Sequence, residues 1–199
     1  YIKHALAPVR RARRQNKTRS RETRGGDEMR IKSAEFVISV ADSAKLPHFG
    51  APEIAFAGKS NSGKSSFINF LTGNGKLART SSEPGRTRLI NYFSVNGGEL
   101  MFVDLPGYGF ARAPKSEQAK WGRLAEGYLE GSENFYAKNI PFTVIATKCD
   151  KLSRAQQATR RRAIAEAFGI GLMNVYLVSS LKKTGAGEIM SRIDDILSV

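Results

Sequence analysis

The sequence predicts an α/β fold with a mostly parallel central sheet, preceded by a basic extended arm, and three observations carry that reading. From Ile31 onward short apolar runs alternate with longer amphipathic stretches, as strands interleaved with helices would. A Gly/Ser-rich turn, Gly58 to Ser65, sits between an apolar run and a helix-compatible one. Residues 1–30 hold ten Lys or Arg against three acids, and the remainder holds twenty-two against fifteen, so half of the net +14 lies in the first seventh of the chain.

The arm's run Arg10, Arg11, Arg13, Arg14, Lys17, Arg19, Arg21 and Arg24 has few apolar residues and ends in Gly25-Gly26, so it cannot bury enough surface to fold alone. Residues 1–30 are therefore read as a disordered basic arm and 31–199 as one folded domain. RNA contact, a targeting segment and a solvated tail without a role all remain open for the arm. The chain begins with Tyr1, so its start is expected upstream, or Met29 is the original start of the folded part.

With 199 residues, 41% of them hydrophobic, the chain has material for one sizeable core, which excludes disorder throughout. No apolar run approaches the roughly 20 residues that cross a bilayer, so no membrane partner is expected. Cys149 is the single cysteine, which excludes an intramolecular disulfide framework and fits a reducing, cytoplasm-like compartment, with an organelle matrix as the alternative. His4 and His48 lack companions at metal-ligand spacing, leaving Mg²⁺ as the one divalent metal expected.

Strands are predicted at Glu53 to Ala57, Leu89 to Val95, Leu100 to Asp104, Phe142 to Thr147 and Asn174 to Val178, and helices at Lys64 to Leu71, Ser116 to Leu129, Arg154 to Phe168 and Gly187 to Leu197. Trp121 and Tyr128, seven apart, are read as packing residues of the second helix.

The stretch Gly58-Lys59-Ser60-Asn61-Ser62-Gly63-Lys64-Ser65 satisfies G-x-x-x-x-G-K-[ST] between a strand and a helix. Its glycines let backbone N–H groups point at phosphate oxygens, the helix N-terminus adds partial positive charge, and Lys64 reaches the β and γ phosphates. Ser65 is expected to place its hydroxyl on Mg²⁺. This motif alone does not choose between ATP and GTP.

Asp104 ends the apolar run 100–103 and is followed by Leu105, Pro106 and Gly107. A carboxylate at that strand end is expected to touch the metal directly or to hold one of its ligands, and Gly107 lets the backbone N–H approach a γ-phosphate. The next apolar run delivers Thr147, Lys148, Cys149 and Asp150 to the same edge. Guanine presents N1–H and N2–H₂ side by side, and the Asp150 carboxylate can accept both, whereas adenine offers a bare acceptor at N1. The Lys148 stem can lie over the base, Cys149 reads as packing, and Val178, Ser179 and Ser180 can supply a backbone N–H to guanine O6. Between the first helix and second strand, Gly85, Arg86, Thr87, Arg88 and Leu89 form a polar, Pro-Gly-punctuated stretch in which Thr87 could complete Mg²⁺ coordination when γ-phosphate is present.

In this order the motifs resemble the EngB (YihA) family of ribosome-assembly GTPases, within the translation-factor class of P-loop GTPases. The carrying stretches are GKSNSGKS at 58–65, EPGRTRLINYF at 83–93, DLPGYGFA at 104–111, IPFTVIATKCDKLSR at 140–154 and VSSLKKTG at 178–185. The resemblance implies a three-layer P-loop GTPase domain that binds and hydrolyses GTP while the large ribosomal subunit and its rRNA mature. It implies catalytic roles for Lys64, Thr87 and Gly107, Mg²⁺ on Ser65 and Thr87, and a potassium ion beside Asn61. Thr147 stands where many GTPases have Asn, but TKxD is usual in this family. Tyr108 follows Gly107 where many GTPases carry a water-orienting glutamine, so slow intrinsic hydrolysis is expected. Arg86, Arg88 and Arg112 could stabilise transition-state charge or touch RNA.

The chain departs from the family after Phe135. Tyr136 to Asn139 lead at once into the IPFTVIAT strand, although the family places a strand and helix there, and a βαβ unit takes roughly 30 residues. That family strand lies mid-sheet, next to the phosphate-loop strand, so its loss would leave a buried gap beside the site. The favoured reading is that residues are omitted near Phe135/Tyr136; a real deletion would put nucleotide binding in doubt. The alternative function is an RNA-binding assembly protein with a vestigial nucleotide site, carried by the arm and by Arg160-Arg161-Arg162; a P-loop kinase or ATPase is disfavoured by TKCD.

Overall fold

The computed structural model describes residues 5–8 (as backbone), 30–79, 89–107, 122–125, 127–128 and 142–198. A seven-stranded sheet in the order β2-β4-β5-β3-β1-β6-β7 organises them. The strands are β1 (Ala5–Pro8), β2 (Ala34–Val40), β3 (Glu53–Ala57), β4 (Ile90–Val95), β5 (Leu100–Asp104), β6 (Thr143–Ala146) and β7 (Val175–Leu177). The helices are α1 (Lys64–Thr72), α2 (Arg154–Phe168) and α3 (Ala186–Leu197), with a further helical stretch through 122–125 and 127–128.

The sheet is mixed. β3 pairs parallel with β5 and β6 with β7, while β2–β4, β4–β5, β3–β1 and β1–β6 are antiparallel. Only β1 and β4 run against the other five, so the expectation of mostly parallel strands holds for direction but not for adjacent pairings. Two successive antiparallel steps, β3 to β1 to β6, leave β3 and β6 parallel to each other, and their carboxyl ends meet at one edge.

Alternation along the strands sorts two faces. Ile54, Phe56, Phe93, Phe102 and Ile145 pack against Phe67, Ile68 and Leu71 of α1 and Ile189 and Ile193 of α3. Ala55, Tyr92, Met101 and Val103 face the other way, onto Leu124 and Tyr128 of the partly described helix. Val144 and Val175 carry Ala165 of α2. Tyr128 is thus a packing residue, with its hydroxyl donating to buried Glu53 at 2.8 Å; Trp121 lies outside the described residues.

α2 begins with a capping box in which Ser153 and Gln156 satisfy each other's backbone N–H, which fixes its start where the sequence suggested. Two strands were missed. β2 is an edge strand with Phe36, Val37 and Ile38 exposed and an irregularity between Phe36 and Ile38, so no clean alternation marks it. β1 lies inside the predicted arm and occupies the slot between β3 and β6, so Ala5–Pro8 belong to the sheet; residues 9–29, with the basic run, lie outside the described residues.

Candidate nucleotide-binding site

β3, β5 and β6 run in the same direction and end at one edge of the sheet, and each hands over one predicted motif. Buried Ala55 and Phe56 anchor the strand that leads into 58–63, where Ser62 N–H bonds the Lys59 carbonyl at 3.1 Å and Gly63 caps α1 at φ 92°. Asn61 has φ 59°, a left-handed conformation that non-glycine residues rarely adopt. The loop therefore turns twice through positive φ before Lys64 opens the helix.

Lys64 and Asp104 form a buried ion pair at 2.5 Å, and the Ser65 hydroxyl donates to the other Asp104 oxygen at 3.3 Å. One carboxylate thus organises both the phosphate lysine and the metal-ligating serine predicted from sequence. Beyond Asp104, Leu105 N–H bonds the Phe56 carbonyl at 3.1 Å, which binds this turn to the phosphate-loop strand, and Pro106 is buried. At Gly107 a Cβ would lie 2.9 Å from Ser60 Cα and 3.1 Å from Ser60 N, so only glycine fits this close approach.

On the other side, β6 delivers Thr147 and Lys148 onto the phosphate loop. The Thr147 hydroxyl donates to the Ser62 carbonyl at 2.6 Å and Lys148 Nζ to the Asn61 carbonyl at 2.9 Å. Lys148 itself sits at φ 58°. These bonds were not foreseen; a threonine where related proteins carry asparagine was the available signal. Asp150 accepts a short hydrogen bond from the Ser179 hydroxyl, whose oxygen accepts from Lys182 N–H at 3.0 Å. Sequence reasoning assigned Ser179 a backbone role and overlooked its side chain.

The base-side turn is braced from below. Gln157 Nε2 donates to the carbonyls of Cys149 and Leu152 at 3.0 and 3.1 Å, and Cys149 N–H bonds the Val178 carbonyl at 3.2 Å. Ser179 and Thr184 exchange two backbone bonds of 3.1 Å, closing the loop that contains Ser180. Burial, and then the Asp150 carboxylate beside it, push the Cys149 thiol up, which matches a packing role.

The structure thus brings together Gly58, Lys59, Ser60, Asn61, Ser62, Gly63, Lys64, Ser65, Asp104, Leu105, Pro106, Gly107, Thr147, Lys148, Cys149, Asp150, Val178, Ser179 and Ser180. Leu89 directly precedes β4, while Gly85, Arg86, Thr87, Arg88, Tyr108 and Arg112 lie outside the described residues. Arg161 is not a free surface cation: its guanidinium donates to the carbonyls of Val175 and Leu172 at 2.8 and 2.9 Å.

A family described as 50S ribosome-binding GTPase matches residues 53–167. A protein of Desulfosudis oleivorans named "Probable GTP-binding protein EngB" is 42% identical over 196 residues, covering 85% of this chain and 99% of that protein. The chain belongs to the EngB family of GTP-binding proteins. A Geobacter metallireducens EngB is 40% identical over 194 residues, covering 85% of this chain and 95% of its own. A solved EngB crystal structure superposes with a TM-score of 0.51 at 23% identity, covering 71% of this chain and 94% of that one, a likeness of fold. In the Desulfosudis EngB alignment, 85% of 199 residues is about 169 against 196 aligned positions, so about 27 positions of that EngB have no counterpart here. Among the described residues of this EngB-family chain, no helix is long and apolar enough to cross a membrane, and no group of His, Cys, Asp and Glu forms a metal cluster.

Proposed function

We propose that this chain binds GTP and GDP with Mg²⁺ at the sheet edge, hydrolyses GTP slowly, and switches between states during assembly of the large ribosomal subunit in the cytoplasm. The observation that carries the reading is that Asp150, held by Ser179, and the Lys64–Asp104 pair, held by the phosphate loop, face one edge and are tied together by Thr147 and Lys148.

Each part has a chemical task. The backbone N–H groups of 58–65 and the α1 N-terminus take the phosphates, with Lys64 neutralising the distal oxygens. Asp104 and Ser65 present hard oxygen donors on adjacent elements, which suits Mg²⁺, and Thr87 would join them; bound there, the ion would neutralise charge on the β and γ phosphates. Asn61 is the residue beside which potassium would sit. The close Gly107–Ser60 approach keeps the Gly107 N–H near the distal phosphate. Among the described residues both glutamines are engaged, Gln156 in the capping box and Gln157 under the base-side turn, which supports slow hydrolysis without a partner.

The net +14, together with exposed Arg154, Arg160 and Arg162 on α2, supports contact with rRNA phosphates. Competition of GTP, GDP and ATP against N-methylanthraniloyl-GDP, with Mg²⁺ and on protein of verified mass, tests the site. Displacement by guanine nucleotides alone is expected, and equal displacement by ATP would overturn it. Turnover should be higher in K⁺ than in Na⁺, and co-sedimentation with large ribosomal subunits should be stronger with a non-hydrolysable GTP analogue than with GDP.

A further inference from the structure

We propose that Gln157 of α2 is a positioning residue for base selection: by holding the Cys149–Asp150 peptide group it fixes where the Asp150 carboxylate stands, and so sets the preference for guanine over hypoxanthine nucleotides. The inference rests on the nucleotide reading of that edge and concerns its base-side half.

The turn that carries Asp150 has little of its own to hold it. Cys149–Lys151 is a single short turn with no buried residue, it opens on Lys148 at φ 58°, and no side chain caps its start. Packing does not fix it, so hydrogen bonds must. Within the turn, Lys151 N–H bonds the Lys148 carbonyl at 3.1 Å and Leu152 N–H the Cys149 carbonyl at 3.0 Å; from outside, the Val178 carbonyl takes the Cys149 N–H at 3.2 Å. The carbonyls at the end of a helical turn are the groups it leaves over. Gln157 serves two of them, Nε2 donating to Cys149 at 3.0 Å and to Leu152 at 3.1 Å.

The Cys149 carbonyl shares one planar peptide group with the Asp150 N–H, so a donor on that oxygen sets the plane from which the Asp150 side chain departs. The Ser179 hydroxyl holds the carboxylate itself. Asp150 is thus held twice, its backbone by Gln157 and its carboxylate by Ser179.

Gln157 is a firm donor because α2 is docked beside it. Arg161, one turn further along the same helix face, donates to the Val175 and Leu172 carbonyls at 2.8 and 2.9 Å, and Ala165 packs against Val144 and Val175. The adjacent Gln156 turns elsewhere: its side-chain oxygen accepts the Ser153 N–H at 2.9 Å and closes the capping box. Two neighbouring glutamines therefore do separate tasks, one for the helix and one for the turn. A primary amide offers two hydrogens to two carbonyls, whereas glutamate would turn acceptors towards both oxygens.

Base discrimination is where a loosened turn shows. Guanine differs from hypoxanthine by its N2 amine, so the advantage of GDP over inosine diphosphate (IDP) is the bond from that amine to the Asp150 carboxylate. A site built to hydrogen-bond a substrate amine rejects the analogue that lacks it, provided its acceptor is held in line. A carboxylate free to swing keeps the N1–H bond and loses the second. The phosphate half, held by the Lys64–Asp104 pair, is left as it was.

Competition of GDP and IDP against N-methylanthraniloyl-GDP, with Mg²⁺ and on the full chain, reads the effect. Gln157→Met keeps the length and helix preference of the side chain and removes both donors. The ratio of GDP to IDP affinity should fall about fivefold or more, and GDP should dissociate about tenfold faster. Gln157→Glu should lose at least as much. Gln156→Met, which opens the capping box, should lower the urea midpoint yet leave the ratio within about twofold of the original chain. A ratio that stays within twofold in both Gln157 variants overturns the proposal, as does an equal fall in Gln156→Met, because Gln157 would then serve only the helix. A full chain that binds GDP without preferring it to IDP overturns it too. A full chain that binds no guanine nucleotide at all refutes instead the reading of the site on which the proposal stands.

Discussion

The Ser179 hydroxyl donates to the Asp150 carboxylate from a different loop, and its oxygen accepts the backbone N–H of Lys182. Ser179 is fully buried, so the pair fixes the direction of the Asp150 carboxylate, which the proposed function assigns to the base. Hydrogen bonds to charged groups contribute about 1.5–3 kcal/mol, so Ser179→Ala should weaken GDP binding roughly ten- to hundredfold. Titration with a fluorescent GDP analogue measures it, and an unchanged affinity would remove Ser179 from base recognition.

Asp150→Asn should exchange the base. The amide can donate where the carboxylate only accepts, so it suits the C2 carbonyl of xanthine better than the N2 amine of guanine. GDP affinity is expected to fall by at least tenfold while that for XDP rises, read by competition; a parallel loss of both would show general damage to the loop.

The Lys64–Asp104 pair is buried, and removing one partner leaves an uncompensated charge. Asp104→Ala should destabilise the nucleotide-free protein by about 3–5 kcal/mol and abolish the dependence of nucleotide affinity on Mg²⁺. Denaturant unfolding and titrations with and without EDTA separate the two effects. Retained Mg²⁺ dependence would move the metal away from Asp104.

These residues show how unevenly the molecule was written in its sequence. β3, β5 and α2 have the bounds the sequence suggested, because the two strands are short continuous buried runs and the helix starts on a strong cap. That Lys64, Asp104 and Asp150 would come to one sheet edge was legible because each follows an apolar strand run in a motif of fixed spacing. β2 was not, since an exposed edge strand with Phe36, Val37 and Ile38 in a row has no alternation to read. β1 was invisible: Ala-Leu-Ala-Pro inside a basic stretch has no strand signal, and its place is set by the backbone rows of β3 and β6, which are distant in sequence. The hydroxyls of Thr147 and Ser179 were missed because their partners, Ser62 and Asp150, lie 85 and 29 residues away.

Tyr128→Phe should cost about 1–3 kcal/mol. The change removes a donor at 2.8 Å from the buried Glu53 carboxylate without altering the packing of the ring. A chevron or urea titration checks it; a stability change within about 0.3 kcal/mol would mean that Glu53 finds equal support elsewhere.

Cys149 should alkylate slowly. Its thiol is pushed up by burial and then by Asp150, so at pH 8 it holds less thiolate than an exposed cysteine, and reactivity should keep rising above that pH. Iodoacetamide modification followed by mass spectrometry should run slower than for glutathione, and bound GDP should slow it further. A rate above that of glutathione would reverse the sign of the shift.

Asn69, buried on α1, gives its amide hydrogens to the carbonyls of Gly75 and Ala78 at 3.0 and 2.9 Å and takes the Ala78 N–H at 2.7 Å. The nine-residue helix, about 13 Å long, is thereby riveted at both ends, to the phosphate loop through Gly63 and to the Gly75–Ala78 turn through Asn69. Phosphate loop, helix and turn form a single strut. A displacement of any one of the three therefore has to be shared by the other two.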